Sequence, residues 1–262
     1  MPSSITPREL QRLQQYWVGK DFQHDGHLFP IDKPLGWTSF DVVSKIRLMF
    51  RHYLGIRKIK VGHAGTLDPL ATGLLVICIG RATKLVQQLT QDDKCYQAQI
   101  TLGGRTPSHD LETPVAHTES FAGVEAPALE AALVQLAAQT QQLPPLYSAK
   151  RIGGTRAYKL ARRGEAQELE PVPITIHSLT LDSFEQGKQL ELTIRCSKGT
   201  FVRALARDLG ELLGCGAYLS GLRRIESGEV SVDHALGMAD VEAFLKIIGP
   251  SYTSALEQHP AQ

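Results

Sequence analysis

The sequence predicts an α+β fold, a mixed and largely antiparallel sheet flanked by helices. Three observations carry that expectation. Lys94–Leu102, Val172–Leu181 and Leu190–Cys196 alternate apolar and polar residues, as half-buried strands do. The last two flank a turn at Gly187 and form a hairpin. Helical patterns occur singly between such strands, without the regular β-α-β succession of a doubly wound sheet.

In chain order, residues 1–27 read as an N-terminal extension. Thr6-Pro7-Arg8-Glu9 is a capping box with proline at the first helical position, predicting a short helix to about Trp17. The domain proper spans 28–235. It opens on a strand at Leu28 that ends in a Pro/Gly turn by Gly36. Thr38 or Ser39 caps a helix with Phe40, Val43, Ile46 and Phe50 at helical spacing. The apolar run Leu74–Ile79 is a buried strand or helix. On Lys94–Leu102, residues Tyr96, Ala98, Ile100 and Leu102 share a face. A polar loop with Pro107 and Pro114 follows, then an amphipathic helix marked by Leu129, Leu133 and Leu136. Leu143-Pro144-Pro145-Leu146-Tyr147 breaks that helix and opens a basic stretch, in which Arg156, Lys159 and Arg163 share a helical face. Ser197-Lys198-Gly199-Thr200 turns into a helix with Leu205, Leu209 and Leu212 toward the core, closed by Gly214. Residues 236–262 hold a last helix, Asp240–Ile248, and a loose tail from Gly249-Pro250.

Bulk properties narrow the function class. A chain of 262 residues buries a sizeable core. Its four cysteines form no Cys-x-x-Cys pair, no signal peptide is visible, and Leu74–Ile79 is too short to span a bilayer, so a cytoplasmic setting is expected. The net charge of +1 points to no partner, but its distribution does. Arg57-Lys58-Ile59-Lys60 is basic, and Lys150, Arg151, Arg156, Lys159, Arg162 and Arg163 fall in a stretch without acids. A segregated basic face fits local nucleic-acid contact. Such a run also suits a merely solvated face; interleaved Tyr147 and Tyr158 keep the RNA reading open.

Chemistry concentrates in Val61-Gly62-His63-Ala64-Gly65-Thr66-Leu67-Asp68-Pro69-Leu70-Ala71-Thr72-Gly73. Asp-Pro alone is a common turn or cap. Three glycines, a histidine and a threonine around Asp68 shift the reading toward a catalytic loop. His63 reads equally as a structural histidine, and Tyr96 as core. Arg203 lies in a helix amid apolar residues, where an arginine needs a partner, whereas Arg207 one turn on suits solvent. Nucleotide-cofactor, P-loop, zincin and hydrolase-elbow motifs are absent, and no cluster has metal spacing.

Gly62–Gly73 followed by Gly80-Arg81-Ala82-Thr83-Lys84-Leu85 resembles the signature of the tRNA pseudouridine synthase B (TruB) family. Further blocks agree in order. They are Asp32-Lys33-Pro34 with Gly36-Trp37-Thr38-Ser39, Lys94 with Tyr96, and Pro144-Pro145-Leu146-Tyr147-Ser148-Ala149. Cys196-Ser197-Lys198-Gly199-Thr200-Phe201-Val202-Arg203, then Gly214-Cys215-Gly216-Ala217 with Leu222-Arg223-Arg224, complete them.

The resemblance implies a pseudouridine synthase fold with an inserted RNA-binding arm at about 143–171, acting on the T-loop uridine (uridine 55) of tRNA. It implies a monomer that binds the T-arm stem-loop, no membrane, no cofactor and no metal. By it, Asp68 is the catalytic aspartate, Tyr96 stacks on the target base, and Arg203 pairs with the aspartate. His63 fills the gap left by the flipped nucleotide. Lys33, Lys84, Tyr147, Lys150, Arg151, Arg156, Lys159, Arg163, Arg223 and Arg224 contact RNA. Alternatives are a tRNA-binding or folding factor, or a pseudouridine synthase for another RNA. Departures from the family pattern are Thr106-Pro107-Ser108-His109-Asp110, Phe201 in place of tyrosine, and an expected absence of a PUA-like domain after Arg224.

Overall fold

The structure, a computed structural model, describes residues 21–22, 25–148, 151–152, 155–156, 160, 163, 165, 169–185 and 188–258. The chain divides into two units, one running to Asp92 and resuming at Arg224, the other Asp93–Arg223.

In the first unit, strand β1 (Gly26–Lys33) pairs antiparallel with β3 (Ala71–Gly80), from Gly26↔Gly80 to Lys33↔Gly73. A short β2 (Val61–Ala64) also pairs antiparallel with β3, from Val61↔Ile79 to Ala64↔Val76. The run Leu74–Ile79 is therefore a strand, paired through its backbone with β1 and β2 and buried at every residue. Between β1 and β2 lies helix α1 (Ser39–Leu54). Thr38 caps it: Thr38 Oγ1 accepts from Asp41 N at 3.0 Å, and Asp41 Oδ2 accepts from Thr38 N at 2.8 Å. Val42, Val43, Ile46, Met49, Phe50 and Leu54 form its buried face. Phe40, expected on that face, is 64% exposed, because the inward face is centred on Ser39, Val42, Val43 and Ile46 and leaves position 40 on its flank.

The second unit holds β4 (Lys94–Leu102), α2 (Ala126–Ala137), β5 (Ile176–Glu185), β6 (Gln189–Cys196) and α3 (Val202–Leu212). β6 pairs antiparallel with β4 on one side and β5 on the other. The expected hairpin forms from β5 and β6; its Gly187 lies outside the described residues. Ile100, Leu102, Leu190, Leu192 and Ile194 pack against Leu129, Leu133 and Leu136 of α2 and Leu205 and Leu209 of α3. Leu212 is 41% exposed, and Leu213, one residue on, packs against the core in its place. Arg156 belongs to a two-stranded hairpin, Arg151–Ile152 with Thr155–Arg156, not to a helix.

Strand β7 (Ala217–Ser227) closes the second unit and re-enters the first at Arg224. Helix α4 (Met238–Gln258) then continues through Gly249-Pro250, where a loose tail was expected. An internal proline costs a helix about 3 kcal/mol. Burial of Val241, Phe244, Leu245 and Ile248 offsets that cost, and Tyr252 beyond the proline lies 5.6 Å from Phe22. Gly249 is a contact residue, since a Cβ there would sit 2.6 Å from Tyr53 O of α1. Phe22 is wholly buried, 5.1 Å from Phe50, so the core reaches upstream of the first strand. Expectations for Thr6–Trp17 lie outside the described residues. Among the described residues, no helix is long and apolar enough to cross a membrane.

Candidate active site

The Asp68 loop, residues 65–70, joins β2 to β3 and is held by backbone contacts on both sides of the aspartate. Ser39, in the first turn of α1, serves Leu67 twice: its Oγ accepts from Leu67 N at 2.9 Å and donates to Leu67 O at 3.2 Å. Pro69 O accepts from Gly36 N at 2.8 Å, and Asp68 O from Ala71 N at 3.0 Å. Arg224, 1% exposed, donates from Nε to Leu74 O at 2.7 Å and from Nη2 to Gly65 O at 3.1 Å. Gly73 makes room for this arginine's strand. At φ 95°, a Cβ on Gly73 would fall 2.3 Å from Arg224 O.

Lys33 has no exposed surface. Its Nζ donates to Trp37 O at 2.6 Å, Pro34 O at 3.0 Å and Pro69 O at 3.4 Å. Burial pulls its pKa down to about 8, against the opposing pull of the Asp68 and Asp41 carboxylates. Lys33 and Arg224, expected at the RNA surface, thus lie inside the first unit, where they brace the loop. A buried cation must satisfy its donors locally, and these two do so with backbone carbonyls of the loop, its flanking turn and β3. His63 is half-buried on β2, and its pKa is lowered by burial and then by the Arg224 charge. Its Nδ1 is buried with no hydrogen-bond partner among the described residues. Lys84 is exposed on the 3-10 turn Arg81–Leu85.

In the second unit the centre of attention is Arg203, 4% exposed in the first turn of α3. Its Nε lies 3.5 Å from Asp110 Oδ2; Nη1 donates to Ser108 O at 3.2 Å and Nη2 to Tyr147 O at 3.1 Å. The 106–113 loop is built to present these groups. Thr106 Oγ1 and Ser108 Oγ donate to Asp110 O at 2.7 and 3.2 Å, and Glu112 N donates to Asp110 Oδ1 at 2.9 Å. Between them His109 takes φ 62°, and burial, with Arg207 and Arg203 nearby, pulls its pKa to about 4. Gln142 clamps the start of α3, donating to Phe201 O and accepting from Phe201 N at 3.2 and 2.8 Å. Arg207, expected in solvent, pairs with Asp208 at 2.6 Å and donates to Leu143 O at 3.1 Å.

Tyr96 lies on β4 opposite Ile194, half-buried beside the core. Lys94, two residues earlier, is 5% exposed. Tyr147 and Arg223 are half-buried, and Arg163 is exposed in a turn. Arg151 and Arg156 are placed by the hairpin backbone alone, and Lys150 and Lys159 lie outside the described residues. Sequence reasoning missed Ser39, Asp110 and Gln142. Only the capping position could have flagged Ser39, while the other two act through tertiary contacts.

The model of the TruB family pseudouridylate synthase N-terminal domain matches residues 51–202. That of the tRNA pseudouridylate synthase B C-terminal domain matches residues 203–258. The chain belongs to the TruB family. It is 42% identical over 221 residues to "tRNA pseudouridine synthase B" of Parabacteroides distasonis, an alignment covering 84% of this chain and 94% of that one. The protein of the same name from Phocaeicola vulgatus is 44% identical over 220 residues, covering 84% and 92%. That of Solibacter usitatus is 43% identical over 213 residues, covering 81% and 70%.

Among solved structures, a Cbf5-Nop10-Gar1 complex matches with TM-score 0.65 at 23% identity, over 97% of this chain and 64% of that one. An archaeal box H/ACA Nop10-Cbf5 complex gives 0.60 at 23%, over 88% and 58%. This TruB-family chain therefore spans about three fifths of those solved chains. At such identity the likeness is one of fold, the α+β pseudouridine synthase fold.

Proposed function

We propose that this TruB-family chain converts the T-loop uridine of tRNA, uridine 55, to pseudouridine, with Asp68 as the catalytic carboxylate. The observation that carries the reading is the bracing of residues 65–74 on both sides of Asp68 by Ser39, Lys33 and Arg224. A loop held at its backbone keeps the carboxylate in one place without consuming it. Preorganisation of this kind turns a weak nucleophile or base into a catalyst. The names of the relatives at 42–44% identity support the tRNA substrate.

The reaction breaks the N1–C1′ bond, turns the uracil and joins C5 to C1′. The proton leaves C5 and N1 gains one, so the isomerisation balances without oxidant, water or cofactor. Asp68 initiates it either by attack on C1′ or by removing the 2′ proton. The Lys33 charge favours the ionised carboxylate. The family resemblance alone supports Arg203 as its second cation and Tyr96 as the flat surface on which the detached base would turn. Exposed cations, Lys84 and Arg163 among them, would hold the phosphates, and the 143–171 segment would grasp the T-arm. Extruding the base costs a few kcal/mol, and His63 filling the gap would offset part of it.

Purified protein incubated with unmodified tRNA, without added metal or cofactor, should yield pseudouridine at the T-loop uridine. Absence of product there sinks the proposal. Asp68→Asn should abolish turnover while RNA affinity stays within a few fold; surviving turnover removes Asp68 from the role.

A further inference from the structure

The first unit carries a second basic feature that the Asp68 loop does not use. From Arg47 to Lys60 the chain has five Lys and Arg and no Asp or Glu. These residues wall a groove of about 620 Å³, lined by Arg47, Arg51, Arg57, Lys58 and Lys60 with Leu48 among them. Arg51, in the last turn of α1, also complements the negative end of that helix. This ordinary role does not extend to Arg57, Lys58 and Lys60, which follow the Gly55 cap and are exposed. Arg47 is already engaged, its Nη2 donating to Val61 O at 2.6 Å, and so fixes one wall. Five like charges around one groove give it a positive potential that a polyanion would complement.

Position within the unit narrows the ligand. Lys60 O accepts from Gly80 N at 2.9 Å, at the end of β3, whereas Asp68 O accepts from Ala71 N at its beginning. The ten residues of β3 span roughly 30 Å at about 3.3 Å each. That length is an upper bound, because Gly73 leaves the extended conformation at φ 95°, and it is comparable to one turn of an A-form RNA duplex, which is shorter than a turn of B-DNA.

We infer that this groove binds the phosphate backbone of the substrate RNA about one duplex turn from the nucleotide held at Asp68. The contact thus falls on tRNA beyond the T-arm hairpin. The location rests on the pseudouridine synthase reading; the polyanion chemistry rests on the charges alone.

The test uses the full chain carrying Arg51→Gln, Arg57→Gln and Lys58→Gln together, with Arg47 left in place. Anisotropy titrations across a salt series would use labelled unmodified tRNA and, separately, a T-arm hairpin. Pseudouridine formation by the wild type is assayed alongside. For tRNA, the slope of log affinity against log salt should fall by about 2 to 3, near one unit per lost phosphate contact. The hairpin slope should stay unchanged. An unchanged tRNA slope overturns the groove, and an equal loss on both RNAs overturns its placement beyond the hairpin. Charge-preserving Arg51→Lys, Arg57→Lys and Lys58→Arg should restore the slope; failure to do so assigns the loss to a damaged fold and overturns the inference. A wild type that makes no pseudouridine defeats the enzymatic reading, and the slope on tRNA then still decides the groove.

Discussion

Lys33 shows how one residue couples stability to chemistry. Its ammonium fills a site where three carbonyls converge, yet burial disfavours its charge. With a folded pKa near 8 below the ordinary 10.5, the unfolded chain binds the extra proton between those values. The contribution of Lys33 to stability therefore rises with pH across that window, and its penalty is complete below it. Activity should run the other way, falling with a midpoint near pH 8 as the cation beside Asp68 is lost. A kcat profile of Lys33→Arg should move that limb upward, and an unmoved limb assigns it to another group. Arg203 makes the complementary case. Arg203→Ala leaves the Asp110 carboxylate buried without its guanidinium, and should cost about 3–5 kcal/mol in denaturant unfolding.

At the scale of the element, the start of α1 does two separable jobs. Thr38 satisfies the helix end, and its replacement by alanine should cost about 1 kcal/mol in stability with little further effect on turnover. Ser39, the next residue, holds Leu67 from both backbone groups and thereby positions Asp68. Ser39→Ala should lose about 1–2 kcal/mol and also lower kcat by more than the unfolded fraction explains. Equal turnover of the two variants under fully folded conditions would remove Ser39 from a positioning role. The pattern of α1 was legible in sequence because its apolar residues repeat at helical spacing. The job of Ser39 was not, because its partner lies 28 residues away.

At the scale of the whole molecule, acid stability should depend on His109. Its folded pKa near 4 lies below the ordinary 6.5, so the unfolded chain takes up the proton first and stability falls between those values as pH drops. His109→Asn tolerates the positive φ and cannot titrate, so thermal unfolding followed from pH 6.5 to 4 should flatten. A wild-type slope retained in that variant would place the acid sensitivity elsewhere. Motifs along the chain revealed the family, since Gly62–Gly73 and Cys196–Arg203 are contiguous blocks. They did not reveal that two of their cations, Lys33 and Arg224, point inward. A lysine or arginine reads as surface until the carbonyls that receive it are assembled by the fold.

The sequence by itself determined the α+β class, most of the strands and helices, and the candidate aspartate. Periodicity, caps and contiguous motifs are local, and each is complete within a dozen or so residues. Only the tertiary structure decided what holds the Asp68 loop, because Arg224 meets Gly65 across 159 residues of chain. It also gave Arg203 a partner in Asp110 and carried α4 through Pro250. In each case burial sets the outcome, since a charged group or a helix breaker survives inside only where distant residues supply its hydrogen bonds or offset its cost.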